Sequence, residues 1–323
     1  MIRRSTGGAV LLLAALYVLV AYRQVWKPAP SISEMKVFSD KDIMSCQGAV
    51  VLGMHRSGTS MLTGLMHEGF GYNLGKPLME ANDYNSKGYY ELLPLVAQDD
   101  AWRNKYGVKM YTHLDVYKAS LPQPLGPNGD FVMQFVQGNA PYLLKDPRLC
   151  VTLPTWLPHF QAPPAVLFTY RDPYDVAASL SRRELSWKDK LATKYLRGWI
   201  EHNELALQHS RGLCTVVTSN RALQENPVEE LERIRDDLHH LCGVPLPPHA
   251  LKRHVVDEFI DPNLQQSRVR NETMLTTYDD GKCKVYNITA TDAKQLQVYQ
   301  RAMKLYCDLE SRLAFAQHAL VSG

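Results

Sequence analysis

The chain lacks any marked excess of one charge. Its 36 lysines and arginines stand against 33 aspartates and glutamates, a formal net charge of +3. So small an excess, with no basic block interleaved with aromatics, argues against a nucleic-acid partner. No C-x-x-C pair and no histidine cluster has the spacing of a zinc site, so no metal is expected. Internal repeats and low-complexity blocks are missing too. With 323 residues, 45% hydrophobic and 21% charged, the chain fits one large globular domain plus a small appendage.

Long uncharged runs are scarce, and the main one lies at the N-terminus. Arg3 and Arg4 precede an uncharged stretch from Ser5 to Tyr22, and Arg23 closes it. That is spanning length for a thin bilayer, and the leading arginines favour a cytosolic N-terminus. A cleaved signal peptide competes, but Leu19, Val20 and Tyr22 around Ala21 make a poor small-x-small cleavage site. The expected layout is a cytosolic tail at 1–6, a transmembrane signal anchor at 7–22, a proline-punctuated stem at 23–35 and a luminal domain at 36–323. Two sequons, at Asn271 and Asn287, agree with luminal exposure. The cysteines, 6 in all, are even in number and able to form disulfides there, or else several are buried thiols.

The most informative stretch is Gly53-Met54-His55-Arg56-Ser57-Gly58-Thr59-Ser60, entered from the apolar run Gly48–Leu52. A buried strand, a tight loop and a helix start are expected. Glycines let backbone N–H groups turn inward, and the helix start adds the positive end of its dipole, so the loop suits a phosphate-like dianion. The spacing is that of a P-loop, but Thr59 stands where a nucleoside-triphosphate site carries lysine. The cation facing the transferring group must come from elsewhere, and Arg56 is the nearest. A second strand-to-helix corner follows in Ala165–Tyr170 and Arg171-Asp172-Pro173, with Ser179 further along the helix. Arg171 and Ser179 can converge on one anion there, although an arginine so placed can equally serve a surface ion pair.

The run R-S-G-T-S resembles the 5′-phosphosulfate loop of sulfotransferases, which use 3′-phosphoadenosine 5′-phosphosulfate (PAPS). The Arg171/Ser179 pair resembles the same family's 3′-phosphate site. Asn85-Ser-Lys-Gly-Tyr-Tyr-Glu91, Lys145-Asp-Pro-Arg148 and Phe259-Ile-Asp-Pro262 are similar to segments of its membrane-associated and bacterial members. The resemblance implies cofactor binding by Arg56, Ser57, Gly58, Thr59, Ser60, Arg171 and Ser179. It also implies sulfonate transfer to an acceptor hydroxyl, carbohydrate above all, by a Golgi-type single-pass enzyme. Arg56, Glu91 and Lys145 are the candidate catalytic residues. Glu91 is proposed as the acceptor's base, with Glu80 as rival and a plain helix-start glutamate as the alternative role; Lys145 and Arg148 are placed near the sulfonate or acceptor. Other classes stay open: a P-loop kinase, with Asp146 as its strand-end acid, or a silent glycan-binding protein on the same fold.

Strands near 48–53, 141–145, 165–170 and 213–217, separated by helices, imply an α/β fold with an open parallel sheet flanked by helices. The stretch from Leu114 to Asp130 is expected as a loop bordering the acceptor site. A helix over Asp189–Ser210 with Tyr195 and Trp199 inward, one from Pro227 to Gly243, and a long one from an N-cap at Thr291 with Leu296, Tyr299, Met303 and Tyr306 buried complete the expectation.

Overall fold

A computed structural model describes residues 44–83, 85–105, 124–183, 189–260, 277–279, 282–284 and 293–321. The tail, anchor and stem, both sequons, Thr291 and the segment from Leu114 to Gln123 lie outside the described residues. Among the described residues no helix is long and apolar enough to cross a membrane.

The centre is a parallel sheet of β1 (Gly48–Leu52), β2 (Tyr142–Lys145), β3 (Ala165–Tyr170) and β4 (Thr215–Ser219), in the order β2-β1-β3-β4. Val50 pairs with Leu144 on one side and Val166 on the other, and Phe168 pairs with Val217. Every residue of β1 is buried, which is why it reads as a continuous apolar run and not an alternating one. The side chains still alternate between faces. Val50, Leu52, Leu144, Val166 and Phe168 enter one core, while Ala49, Val51, Leu143, Ala165 and Leu167 enter the other.

Helices cover both faces. Behind the first core lie α2 (Leu93–Lys105), α3 (Pro127–Gly138), α4 (Leu149–Trp156), α5 (Pro173–Arg183), α6 (Asp189–His209) and the C-terminal α10 (Ala293–Val321). The second core is covered by α1 (Thr59–Gly64, continued as a π-turn to Phe70), α7 (Asn220–Glu225), α8 (Pro227–His240) and α9 (Arg253–Phe259). A small hairpin pairs β5 (Thr277–Asp279) with β6 (Lys282–Lys284). Proline opens α3, α5 and α8, where its fixed φ suits a first turn and its missing N–H costs nothing.

Some expectations need correction. Residues 127–130 are the first turn of α3 and not loop, because Pro127 starts a helix whose Val132, Met133 and Val136 pack into the core. The fourth strand begins at Thr215, since Leu213 N–H donates to Ser210 O (3.0 Å) in a turn through Gly212 at φ +76°. Leu296 is 36% exposed, whereas Tyr299, Met303 and Tyr306 are buried as expected. Cys214 and Cys242 form a disulfide, while Cys46 and Cys150 are buried thiols.

The order of the strands decides where a ligand can sit. The chain leaves β1 towards β2 on one side, and leaves β3 towards β4 on the other. A crevice therefore opens between the carboxyl ends of β1 and β3, the topological switch point of an open α/β sheet. The segments at 53–60 and 171–179 emerge there.

Candidate active site

The loop after β1 is shaped by its neighbours. Gly53 lies at φ +155°, its N–H donates to Cys150 Sγ (3.2 Å), and a Cβ there would fall 2.3 Å from Thr169 O on β3. No other residue fits so close to a neighbouring strand. Ser57 N–H closes a turn onto Met54 O (3.1 Å), and Gly58 at φ +88° admits the chain to α1. The start of α1 has no side-chain cap and no acid in its first turn. Its leading N–H groups therefore suit an anion. Arg56 holds φ +69°, a left-handed conformation costing about 1–3 kcal/mol in a non-glycine residue. In that conformation its Nε donates to Ser179 Oγ on α5 at 2.9 Å.

Arg171 and Ser179 thus meet the loop differently from each other. Arg171 pairs with Asp175 one helical turn on (Nη2–Oδ2 3.1 Å), and its carbonyl accepts from Trp199 Nε1 (3.0 Å). Ser179 bonds to the loop's arginine instead. Asp172 caps α5, its Oδ1 accepting from the N–H groups of Tyr174 (2.8 Å) and Asp175 (3.2 Å). Burial, with Asp175 adding to it, pushes the Asp172 carboxyl up to about 6.

On the other side of the crevice lies a buried charged network. Lys145, the last residue of β2, is 2% exposed, and its ammonium group donates to Glu91 Oε1 (2.5 Å), Ser60 Oγ (3.0 Å) and Tyr89 O (3.0 Å). Those bonds use every hydrogen it has. Arg148 reaches Asp146 and Asp100 at 2.9 Å each and Glu91 Oε2 at 3.8 Å. Burial raises the Glu91 carboxyl above its ordinary range, and Lys145 opposes the rise. His55 is held neutral, its imidazole pushed well below the usual range by burial and then by His202 and Arg148.

Arg56, Gly58–Ser60, Glu80, Glu91, Lys145, Arg148 and Arg171 all line one cavity of about 400 Å³. Glu80 is exposed, whereas Glu91 is buried. Ser57 is packed away, its buried hydroxyl without a protein hydrogen-bond partner, and Ser179 reaches the cavity through Arg56. Sequence reasoning passed over His55, Met79, Asn82, Asn85 and Tyr89, which also line it. His55 lies in the loop itself, and Asn85 and Tyr89 lie inside the segment ending at Glu91, so their motifs were the available signal. Among the described residues, no group of histidine, cysteine, aspartate and glutamate is arranged to hold a metal ion.

No family model and no characterised protein sequence matches the chain. Three solved structures that it resembles are two sulfotransferase domains and a sulfotransferase. The sulfotransferase domain from the Synechococcus PCC 7002 olefin synthase has a TM-score of 0.42 at 18% identity, over 84% of this chain and 98% of that one. The sulfotransferase domain from the curacin biosynthetic pathway has a TM-score of 0.39 at 14% identity, over 80% and 98%. Sulfotransferase STF1 from Mycobacterium tuberculosis H37Rv has a TM-score of 0.38 at 11% identity, over 81% and 78%.

Proposed function

We propose that this protein is a PAPS-dependent sulfotransferase that modifies a carbohydrate hydroxyl. In this reading it is a single-pass Golgi membrane protein anchored through residues 7–22, with its domain in the lumen. The observation that carries the reading is the bond between Arg56 Nε and Ser179 Oγ (2.9 Å), which joins motifs 123 residues apart at one crevice. The loop lacks the nucleotide-binding lysine, and its own Arg56 puts a guanidinium at the cavity instead. The disulfide between Cys214 and Cys242 favours an oxidising compartment.

The residues fit such a donor. Gly58 at φ +88° and the uncapped start of α1 leave inward amides for a dianion, and Arg171, at the end of β3, lines the same cavity for a second phosphate. When bound, PAPS supplies a sulfonate on a phosphate leaving group. Arg56 offsets charge that develops beside the loop. Lys145 donates to Ser60, so the serine's own proton is directed elsewhere, and it holds Glu91 at the cavity wall. Glu91 takes the acceptor's proton; its burial favours the protonated form and the pair with Lys145 restrains it.

The test is made on the full chain in detergent. Arg56→Ala should lower transfer of labelled sulfonate sharply. Arg171→Ala should chiefly weaken binding of adenosine 3′,5′-bisphosphate, by about ten- to hundredfold, the scale of one lost charge-assisted hydrogen bond. Undiminished turnover and affinity in both variants would refute the assignment. Magnesium-dependent ATP binding with no need for a 3′-phosphate would point to a phosphotransferase instead.

A further inference from the structure

Residues 77–83 and 85–92 form a wall of the cavity. Its base is closed by Met79 N–H donating to Glu91 O (2.8 Å) and Leu93 N–H donating to Pro77 O (2.9 Å). Nearer its tip, Asn82 and Asn85 exchange backbone hydrogen bonds of 3.3 and 2.9 Å, and Tyr89 Oη donates to Asn82 Oδ1 at 2.8 Å. Met79, Glu80, Asn82, Asn85 and Tyr89 face the same cavity as the phosphate loop.

Of the wall's exposed charged residues, only Glu80 lines the cavity. Glu80 and Asp83 are exposed. Lys87, its one lysine, is tied to Glu258 O (2.9 Å) and lies 5.5 Å over the Phe259 ring. Deeper in, Lys145 is matched to Glu91 at 2.5 Å and Arg148 to Asp146 and Asp100 at 2.9 Å, while Arg56 and Arg171 are taken up by the donor's anionic groups in the reading above. An acceptor therefore meets amides, a phenol, a thioether and an acidic rim. Amide groups both donate to and accept from neutral hydroxyls, and a tyrosine ring offers a flat apolar face. A sulfate or carboxylate beside the accepting hydroxyl would face Glu80, while the wall's Lys87 does not line the cavity, and the repulsion costs binding.

We propose that this wall selects an uncharged, hydroxyl-rich acceptor, a neutral sugar, over one that already carries anionic groups; the proposal rests on the sulfotransferase reading above. The test measures calorimetric affinity for adenosine 3′,5′-bisphosphate. It also measures labelled sulfonate transfer from PAPS to two matched oligosaccharides, one neutral and one with a carboxylate beside the accepting residue, all on the full chain. The wild type should prefer the neutral acceptor by about tenfold in kcat/KM, and Glu80→Lys should cut that preference by about fivefold or more, by raising turnover of the anionic acceptor. Glu80→Gln should fall between, and all three proteins should still bind the nucleotide. With nucleotide bound normally, preference for the anionic acceptor or an unmoved preference in Glu80→Lys would overturn the proposal alone, and transfer to neither sugar would overturn it together with the carbohydrate reading. Failure of the wild type to bind the nucleotide would overturn the donor reading and this one with it.

Discussion

Lys145→Met tests the buried network most directly. The substitution removes a cation that is 2% exposed and strips Glu91, 4% exposed, of its partner at 2.5 Å, leaving Arg148 at 3.8 Å. Ser60 Oγ and Tyr89 O each lose a donor at 3.0 Å. Removing one member of a buried ion pair costs about 3–5 kcal/mol, a large share of the roughly 5–15 kcal/mol that holds a domain folded. Burial already raises the Glu91 carboxyl and Lys145 restrains it, so in the variant it climbs further. The folded variant then binds a proton that the unfolded chain has released. Its stability falls as pH rises from the ordinary carboxylate range until the buried acid ionises. The deficit against wild type should thus be smaller at about pH 5.5 than at about pH 7.5. Lys145→Met combined with Glu91→Leu removes the stranded charge and should return to within about 1–2 kcal/mol of wild type. Urea unfolding with an unchanged slope is the assay. If the single and double variants are equally unstable, or if the deficit is the same at both pH values, the pair does not hold this wall.

Two further outcomes follow from the same physics. Asp172 titrates at about 6 when folded and near the usual carboxylate value when unfolded, so it favours folding at low pH and weakens it progressively as pH rises through about 4–6. Asp172→Asn keeps the Oδ1 cap, and its melting temperature should change less over that window than the wild type's; identical profiles would remove burial as the cause. Replacing both Cys214 and Cys242 by alanine opens a loop with a separation of 28 residues and should cost about 3–4 kcal/mol. A loss under about 1 kcal/mol in chemical unfolding would show the unfolded chain already compact there.

Much of the fold was legible because its signals are local. The runs at Gly48–Leu52 and Ala165–Tyr170 read as strands because burial on both faces favours a near-continuous apolar run, interrupted only by Thr169 and the Tyr170 hydroxyl. Pro173 and Pro227 mark helix starts through their fixed backbone. Where local and tertiary preferences diverge, the reading slipped: the proline- and glycine-rich approach to Asp130 hid the start of α3, and helical spacing alone placed Leu296 inward. The wall residues Asn82, Asn85 and Tyr89 were less legible still. Polar residues in a turn-rich segment look alike whether they face solvent or a cavity.

The sequence by itself determined a glycine-shaped loop between an apolar strand and a helix, a missing lysine within it, and a second arginine after a later strand. Each depends on the backbone freedom or charge of a few neighbouring residues. The tertiary structure decided that Ser179 bonds to Arg56 and not to Arg171, that Lys145 is enclosed by Glu91, Ser60 and Tyr89, and that Cys214 pairs with Cys242. Those contacts join distant parts of the chain, and they form because the strand order brings their ends to one crevice and burial then requires each charge to find a partner.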